Sequence, residues 1–323
     1  MKIGVFTVLY QNLLFEEMLT KLSEAGVDSV ELGTGNFPGN SHCDTDELLD
    51  APDKLRAFQR ALETRGMTIS GLSCHGNPLH PNPHTAKEAH DDWRKTVLLA
   101  EKLEVPVING FSGCPGDHLN AKYPNWVTCS WPPEYKEMLD WQWNEVVIPY
   151  WKEEAAFAQL HGMERIALEM HPGFVVYNPE TLLKLREHAG PVIGANFDPS
   201  HLIWQGIDPV EAIKKLGRED AIHHVHAKDV YLDQANIKVN GVLDTKHYSE
   251  ILDRSWTFRS VGYGHDEKMW KDIISTLRAV GYDYVISIEH EDMLASIDEG
   301  LGKAISLLKR SVFKDKAAEL WWA

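Results

Sequence analysis

The sequence has few cysteines, a deficit of positive charge and no long apolar run. Its four cysteines fall at no C-x-x-C or zinc-ribbon spacing, which favours free thiols in a reducing cytoplasm over disulfides or a structural zinc site. Lys and Arg number 32 against 48 Asp and Glu, and the formal net charge is −16. This charge disfavours non-specific binding to nucleic acid or to an anionic membrane.

Segments that would direct the chain into or across a membrane are also missing. No stretch approaches the roughly 18 consecutive apolar residues that span a bilayer. Strand-like sequence begins within residues 1–6, which predicts that no signal peptide precedes the fold. We therefore expect a cytoplasmic protein.

The chain lacks the glycine-rich turn of a dinucleotide-binding fold. No Gly-x-Gly-x-x-Gly follows the first strand-like segment, which counts against an open, doubly wound sheet. Instead, short apolar runs alternate eight times with segments of helical period, the pattern of repeated βα units. The predicted strands are 2–9, 29–32, 68–74, 107–111, 165–170, 192–198, 222–228 and 284–289. The predicted helices are about 15–26, 52–65, 85–103, 134–161, 179–189, 209–217, 267–280 and 295–310.

Eight βα units without a break in composition predict a single-domain (β/α)₈ TIM barrel over residues 1–323. Three connections are too long for simple turns, at about 33–51, 112–133 and 229–265. All three follow predicted strands, so in a barrel they lie at the C-terminal ends of the strands. Barrel enzymes carry their active sites on that face, and we expect the same here.

Four successive strands end in carboxylate or imidazole side chains, namely Glu169, Asp198, His226 and Glu289. Each alone is more often a helix cap or a satisfied polar group. Four together would cost several kcal/mol in repulsion and desolvation unless a cation compensates. Their mostly oxygen ligand set suits one divalent metal such as Mn²⁺ or Mg²⁺ better than a structural zinc. His224 shares a strand face with His226, but His226 is favoured because it lies nearer the C-terminal mouth.

These four residues resemble the sugar phosphate isomerase/epimerase family of the xylose-isomerase-like barrels, which includes ketose 3-epimerases and inosose dehydratases. The segments that carry the resemblance with Glu169 are DPSH at 198–201, HAKD at 226–229 and EHED at 289–292. The resemblance implies that all four residues bind a divalent metal, often manganese. It implies that Glu169 and Glu289 also move the proton on the carbon next to a sugar ketone. It implies that His201 contacts substrate oxygens.

A narrower resemblance is carried by residues 72–81, 111–116, 123–133, 256–265 and 320–323. These segments are similar to the catalytic α subunits of bacterial C-glycoside deglycosidases. That similarity implies cleavage of 3-oxo-glycosides by elimination, and a complex with a small β subunit. The alternative is a keto-sugar epimerase or isomerase acting on an unphosphorylated or phosphorylated sugar. Because the long loops hold few basic residues, an unphosphorylated sugar is favoured.

Several polar residues near the predicted mouth are candidates for contacting the sugar, and a purely structural role is the alternative for each. They are His75, His171, His201, Lys228, Arg259 and His265. Tryptophans crowd residues 126–151, which predicts a packed loop, a wall for an apolar aglycone or an oligomer interface. The apolar residues 320–322 also predict association, as a homo- or hetero-oligomer.

Two other classes of function fit the sequence less well. A single-strand break repair endonuclease of the same barrel superfamily predicts more metal ligands and a basic DNA groove, which the net charge of −16 disfavours. A non-catalytic binding subunit would have no reason to keep mutually repelling carboxylates together. The sequence therefore predicts a metal-dependent enzyme that acts on a small sugar or glycoside.

Overall fold

The computed structural model of the protein describes residues 1–315, Leu320 and Trp322. The strands are β1 (Lys2–Phe6), β2 (Ser29–Gly33), β3 (Thr68–Ser73), β4 (Val107–Gly110), β5 (Arg165–Glu169), β6 (Ile193–Phe197), β7 (Ile222–Ala227), β8 (Asp229–Leu232), β9 (Trp256–Arg259) and β10 (Val285–Ile288). Eight of them form a closed parallel barrel in the order β1-β10-β7-β6-β5-β4-β3-β2. The predicted TIM barrel is confirmed.

Helices surround the barrel, and some lie on its C-terminal face. They are α1 (Phe15–Glu24), α2 (Thr45–Asp50), α3 (Pro52–Glu63), α4 (Pro83–Leu103), α5 (Pro133–Trp141), α6 (Ile148–Leu160), α7 (Pro179–Ala189), α8 (Pro199–Trp204), α9 (Pro209–Gly217), α10 (Gln234–Asn240), α11 (Glu267–Ala279) and α12 (Ile297–Ser311). Each predicted helix overlaps an observed one. The first strand is shorter than predicted because the chain turns into a 3₁₀ helix at Thr7–Tyr10.

The helix predicted over 134–161 is interrupted in the middle. A π-helical turn, Gln142–Val147, separates α5 from α6. Pro149 lies in the first turn of α6 and has no N–H to donate to the preceding turn, which accounts for a change of helical register there. The buried Gln142 donates hydrogen bonds to the carbonyls of Gly116 (2.9 Å) and Asn125 (2.8 Å). Gln142, in the interrupted helix, therefore holds the long loop after β4 in place through these hydrogen bonds.

The connection predicted as a loop over 229–265 is largely regular. β8 and β9 form an antiparallel hairpin, with Asp229 opposite Arg259 and Leu232 opposite Trp256. The hairpin packs on α8, where the rings of Trp204 and Trp256 stack with centroids 4.6 Å apart. The structure thus adds a wall to the mouth of the barrel that periodicity did not predict.

Several smaller predictions have a structural outcome. All four cysteines are free, and three of them are buried. Trp143 and Trp151 pack in the main core whereas Trp131 is exposed. Among the described residues, no helix has the combination of length and apolar composition that a bilayer crossing requires. Trp321 lies outside the described residues, so association through 320–322 stays a prediction.

His223 points outward from β7 and is buried against the neighbouring strand. A Cβ atom at Gly194 on β6 would lie 2.3 Å from the His223 ring, so only glycine leaves room for it. Burial lowers the pKa of His223 to about 4, and the positive charges of Arg186 and Arg165 act in the same direction. The folded protein therefore holds this imidazole neutral where the unfolded chain would protonate it.

His223 should make the fold sensitive to acid between pH 6.5 and 4. In this range the unfolded chain binds a proton that the folded protein does not, so stability is complete above pH 6.5 and falls as the pH drops. From pH 7 to pH 5, the free energy of unfolding should fall by about 2 kcal/mol more in the wild type than in His223→Phe. Urea unfolding at both pH values measures this difference. An exposed control, His84→Phe, should keep the wild-type pH dependence, and an unchanged dependence in His223→Phe would contradict the prediction.

Candidate metal centre

The four side chains predicted as metal ligands meet at the C-terminal ends of neighbouring strands. Glu169 closes β5, Asp198 and Glu289 directly follow β6 and β10, and His226 lies near the end of β7. One oxygen or ring nitrogen of each lies within 4.8 Å of those of the other three. The cluster is buried except at Glu289, whose side chain is 16% exposed. Access to it is therefore from the side of Glu289.

Asp198 combines two roles in one side chain. Its Oδ1 accepts a hydrogen bond from the backbone N–H of Ser200 at 2.8 Å and so caps α8. Pro199 is the first residue of that helix, where its missing N–H costs nothing. The other oxygen, Oδ2, is buried without a hydrogen-bond partner and faces the cluster. The capping bond therefore fixes the direction in which Oδ2 points.

Glu169 is surrounded by nitrogen atoms. Its Oε2 lies 3.2 Å from His226 Nδ1 and 3.3 Å from His75 Nε2, and its Oε1 lies 3.2 Å from His201 Nε2. The Asn196 amide also donates to Oε2, at 3.2 Å. Burial by itself would raise the pKa of Glu169, but the nearby nitrogens of His201, His226 and His75 hold it well below its usual range. Glu169 is thus an ionised carboxylate that can bind a cation or accept a proton.

The two histidines that share a face of β7 have different surroundings. His226 Nδ1 lies 3.2 Å from Glu169 Oε2 and 3.1 Å from Glu289 Oε2, which puts this nitrogen in the cluster. His224 lies one layer deeper, where its Nδ1 is 3.0 Å from Asn196 Oδ1. The preference for His226 over His224 agrees with this arrangement.

Lys228, predicted as a substrate contact, lies among the carboxylates. Its Nζ is 3.1 Å from Asp198 Oδ2, 2.8 Å from Glu289 Oε2 and 3.2 Å from Glu291 Oε2. Burial by itself would lower the pKa of Lys228, but these carboxylates raise it well above its usual range. The ammonium is therefore charged, and it neutralises part of the negative charge of the cluster.

The donor set fits a divalent cation. Asp198 Oδ2 and Glu289 Oε2 are buried oxygens that form ion pairs with Lys228 Nζ but make no hydrogen bond. Burial, together with repulsion by neighbouring carboxylates, raises the pKa of Asp198 to about 7 against the attraction of Lys228. Burial opposes a charge on His226, but the carboxylates around it raise its pKa well above its usual range, so without a metal this imidazole holds a proton. A divalent ion bound by these oxygens and one imidazole nitrogen would replace that proton and balance the remaining negative charge.

A cavity of about 610 Å³ opens above the cluster. Its polar side holds Glu169, Glu289 and Lys228 together with histidines and the acidic residues after β10. Apolar residues make up the rest of its lining and are here called the apolar wall. The apolar lining residues are Phe6, Val8, Phe37, Pro38, Phe111, Tyr248, Phe258, Met293, Ala295 and Ile297. The cavity therefore offers a small organic molecule both a reactive polar floor and an apolar wall.

Three of the predicted substrate contacts, His75, His171 and His201, line this cavity. His171 Nδ1 donates to the carbonyl of Pro172 at 2.6 Å, which leaves its Nε2 as an acceptor. Neither ring nitrogen of His75 or His201 makes a hydrogen bond. Burial lowers the pKa of His171 and of His201, so both are neutral imidazoles at neutral pH. Unpartnered neutral imidazoles suit the hydroxyl groups of a polyol.

The remaining two predicted contacts do not line this cavity. The guanidinium of Arg259 is held by Asp292, with Nε 3.3 Å from both carboxylate oxygens. His265 Nδ1 is held by Asp229 Oδ1 at 2.9 Å. Asp229 also accepts hydrogen bonds from the backbone N–H groups of Gly262, Gly264 and His265. Arg259 and His265 thus hold the loop after β9 in place.

One polar residue at the site escaped prediction. Glu31 lies in the middle of β2, is fully buried, and contacts His226 Nε2 at 2.9 Å. The sequence signal that could have identified it is a glutamate between two apolar residues, Val30 and Leu32, inside a strand that the βα pattern predicts to be buried. A charged side chain in such a position needs partners.

Comparison with known proteins agrees with the architecture. Residues 19–311 match the protein family described as xylose isomerase-like TIM barrel. The chain is 41% identical to the uncharacterized protein YfiH of Bacillus subtilis (strain 168) over 314 residues, which cover 97% of this chain and 99% of that protein.

Two solved structures share the fold at low sequence identity. A D-tagatose 3-epimerase-like protein superposes with a TM-score of 0.64 at 21% identity, covering 96% of this chain and 98% of that one. The IolI protein with a bound zinc atom superposes with a TM-score of 0.63 at 17% identity, covering 96% of both chains.

The substitution Asp198→Asn separates helix capping from metal binding. Asparagine caps helices about as well as aspartate, and it removes a charge that burial and repulsion disfavour, so thermal stability in EDTA should not fall. Loss of the charged oxygen should weaken binding of Mn²⁺ or Zn²⁺ at least about tenfold, measured by calorimetric titration. The matched control is Asp208→Asn, because Asp208 caps α9 in the same way at an exposed position. Equal metal affinity in Asp198→Asn and the wild type would contradict the site.

Proposed function

The chain belongs to the xylose isomerase-like TIM barrel family, and from this premise we propose that it is a divalent-metal-dependent enzyme of the sugar isomerase/epimerase type. The proposed reaction moves a proton on the carbon next to a sugar carbonyl. The observation that carries the proposal is the pair Glu169 and Glu289, one buried and one partly exposed carboxylate, which both approach His226 Nδ1 and both line the cavity.

Glu169, Asp198, His226 and Glu289 are the residues that would hold the metal. A divalent ion held there would supply a Lewis acid for a substrate carbonyl and would stabilise negative charge on its oxygen. The bound zinc named in the IolI structure supports a divalent ion in this fold. We retain Mn²⁺ and Mg²⁺ as candidates because the donor set is mostly oxygen.

Proton transfer is assigned to the two glutamates. Several neighbours hold the pKa of both below the usual range against the effect of burial, chiefly histidines for Glu169 and the charge of Lys228 for Glu289. Both are therefore ionised at neutral pH and can act as bases. A base on each side of one carbon permits removal of the proton from one face and its return to the other, which is what an epimerisation requires.

Substrate positioning is assigned to two histidines of the cavity. His75 and His201 carry ring nitrogens without hydrogen bonds directly beside Glu169. Hydroxyl groups of a bound sugar would satisfy these nitrogens and hold the reacting carbon within reach of the carboxylate. Lys228 is the cationic residue of the cavity lining and is already paired with carboxylates. The cavity thus suits an unphosphorylated sugar.

Hydrogen exchange tests the proposed proton transfer. Metal-loaded protein incubated with a panel of ketohexoses in D₂O should incorporate deuterium next to the ketone, observed by NMR, and should form epimers or isomers. Glu169→Gln and Glu289→Gln should each lower the exchange rate by about 100-fold to 10,000-fold. A suitable control is Glu164→Gln, an exposed residue just before β5 at the opposite end of the barrel. Full activity after complete metal removal would contradict the proposal.

The apolar wall of the cavity favours a second candidate function, elimination from a 3-oxo-glycoside. Phe37 and Met293 line the cavity and are 71% and 57% exposed, and such a surface suits a flat, apolar aglycone better than a bare sugar. Removal of the proton from C2 would form a double bond to C1 while the aglycone leaves C1 with the bonding electrons and takes up a proton. A small β subunit is the proposed protein partner for this activity, within a hetero-oligomer.

Incubation with an aryl 3-oxo-glucoside in D₂O separates the two candidates. Elimination predicts release of the aryl group, measured by chromatography, and loss of that release in Glu169→Gln or Glu289→Gln. Isomerase-type chemistry predicts deuterium at C2 or C4 with the aryl group retained. If neither the ketohexoses nor the 3-oxo-glucoside exchanges or reacts, both assignments are wrong.

A further inference from the structure

Glu31 lies directly beneath the candidate metal centre, within the floor of the barrel. Its carboxylate is fully buried and lies 2.9 Å (Oε1) and 3.0 Å (Oε2) from His226 Nε2. The opposite nitrogen of the same ring, Nδ1, faces Glu169 and Glu289. The imidazole of His226 therefore bridges Glu31 and the centre.

The fold holds Glu31 from several strands at once. Its carboxylate accepts hydrogen bonds from Ser73 on β3, from the amide of Asn109 on β4 (2.9 Å) and from Ser287 on β10 (2.6 Å). Gly71 lies opposite Glu31 in the register of β2 and β3, and a Cβ there would lie 3.1 Å from the Asn109 amide. These contacts leave the carboxylate little freedom to move.

Both ring nitrogens of His226 face carboxylates, Nδ1 those of Glu169 and Glu289 and Nε2 that of Glu31. A divalent ion held by Glu169 and Glu289 would need the lone pair of Nδ1, which leaves Nε2 to carry the proton of a neutral imidazole. There the N–H donates a charge-assisted hydrogen bond to Glu31. The Asn196 amide nitrogen, 3.2 Å from Nε2, is itself a donor and cannot accept this proton. With the proton on Nε2, the lone pair is on Nδ1 and points at the carboxylate cluster.

We propose that Glu31 is a positioning residue that holds His226 as its Nε2–H tautomer, so that Nδ1 is presented to a divalent metal. The inference rests on the proposed function for the presence of that metal. It adds a residue, Glu31, that could not be inferred from the strand ends that carry the four candidate ligands. A carboxylate behind a ligating histidine also makes the imidazole a stronger donor to the metal and restrains its orientation.

The alternative is that Glu31 is only a buried carboxylate with enough donors to be tolerated. Glu154 provides the matched case, because it is also fully buried and is paired with Arg94 at 2.8 Å between α4 and α6, outside the centre. A role restricted to folding predicts that Glu31→Gln and Glu154→Gln both lower stability and that neither changes metal binding.

Metal titration of the two variants separates these alternatives. Zn²⁺ affinity, measured by calorimetry with a competing chelator, should fall about 10-fold to 100-fold in Glu31→Gln. It should be unchanged in Glu154→Gln even if that variant is less stable to heat. Equal Zn²⁺ affinity in Glu31→Gln and the wild type would overturn the inference while leaving the metal centre intact. A wild type that binds no divalent ion would overturn both the inference and the proposed function.

A second measurement needs no folded variant at position 31. In the ¹⁵N NMR spectrum of the Zn²⁺-loaded wild type, the His226 resonances, assigned by comparison with His226→Gln, should show a proton on Nε2 and a metal bound to Nδ1. A proton on Nδ1, or a metal bound to Nε2, would overturn the inference. This readout does not depend on whether Glu31→Gln folds, because only the wild type has to bind the metal.

Discussion

Negative charge concentrated at the mouth of the barrel is the constraint that organises this protein. The carboxylates of Glu169, Asp198 and Glu289 come within 4.8 Å of one another, where little water can screen them. The fold compensates with the Lys228 ammonium and with imidazoles around Glu169. The compensation is incomplete, because the pKa of Asp198 still rises to about 7. The case for a divalent metal therefore follows from the electrostatics of these side chains and does not depend on likeness of fold alone.

A buried polar layer under the centre keeps this charge in a defined geometry. The Asn196 amide donates to Glu169 and its oxygen contacts His224, so one side chain connects the ligand on β5 with the deeper histidine on β7. Glu31 connects β2 with β3, β4 and β10 in the same layer. Because these contacts are made between strands of a closed barrel, the candidate ligands are held from several strands at once. A site for proton transfer needs such support, since small displacements of the base cost much of the rate.

The barrel and the four candidate ligands could be predicted because both depend on local patterns, namely the alternation of strand and helix and the polar residue that ends each strand. The sequence pattern could not predict contacts between side chains that are far apart in the chain. Arg259 and His265 look like substrate contacts in the sequence, but Asp292 and Asp229 hold them away from the cavity. The β8–β9 hairpin was predicted as a loop because its stability comes from stacking on Trp204, about fifty residues earlier in the chain.

The two proposed functions share their first step and diverge in what the apolar wall can hold. The carboxylates of the cluster and the histidines lie within two residues of the ends of barrel strands, or on α8 for His201, whereas Phe37, Phe258 and Met293 lie in the connections after β2, β7 and β10. Removal of a proton next to a carbonyl depends on the first group. Whether a leaving group is bound and expelled depends on the second, because a departing aglycone must be accommodated beside the sugar. If both proposals hold, a change between epimerisation and elimination would need changes in the connections and none in the candidate metal ligands, because one set of strand ends can support different reactions when the loops above it vary.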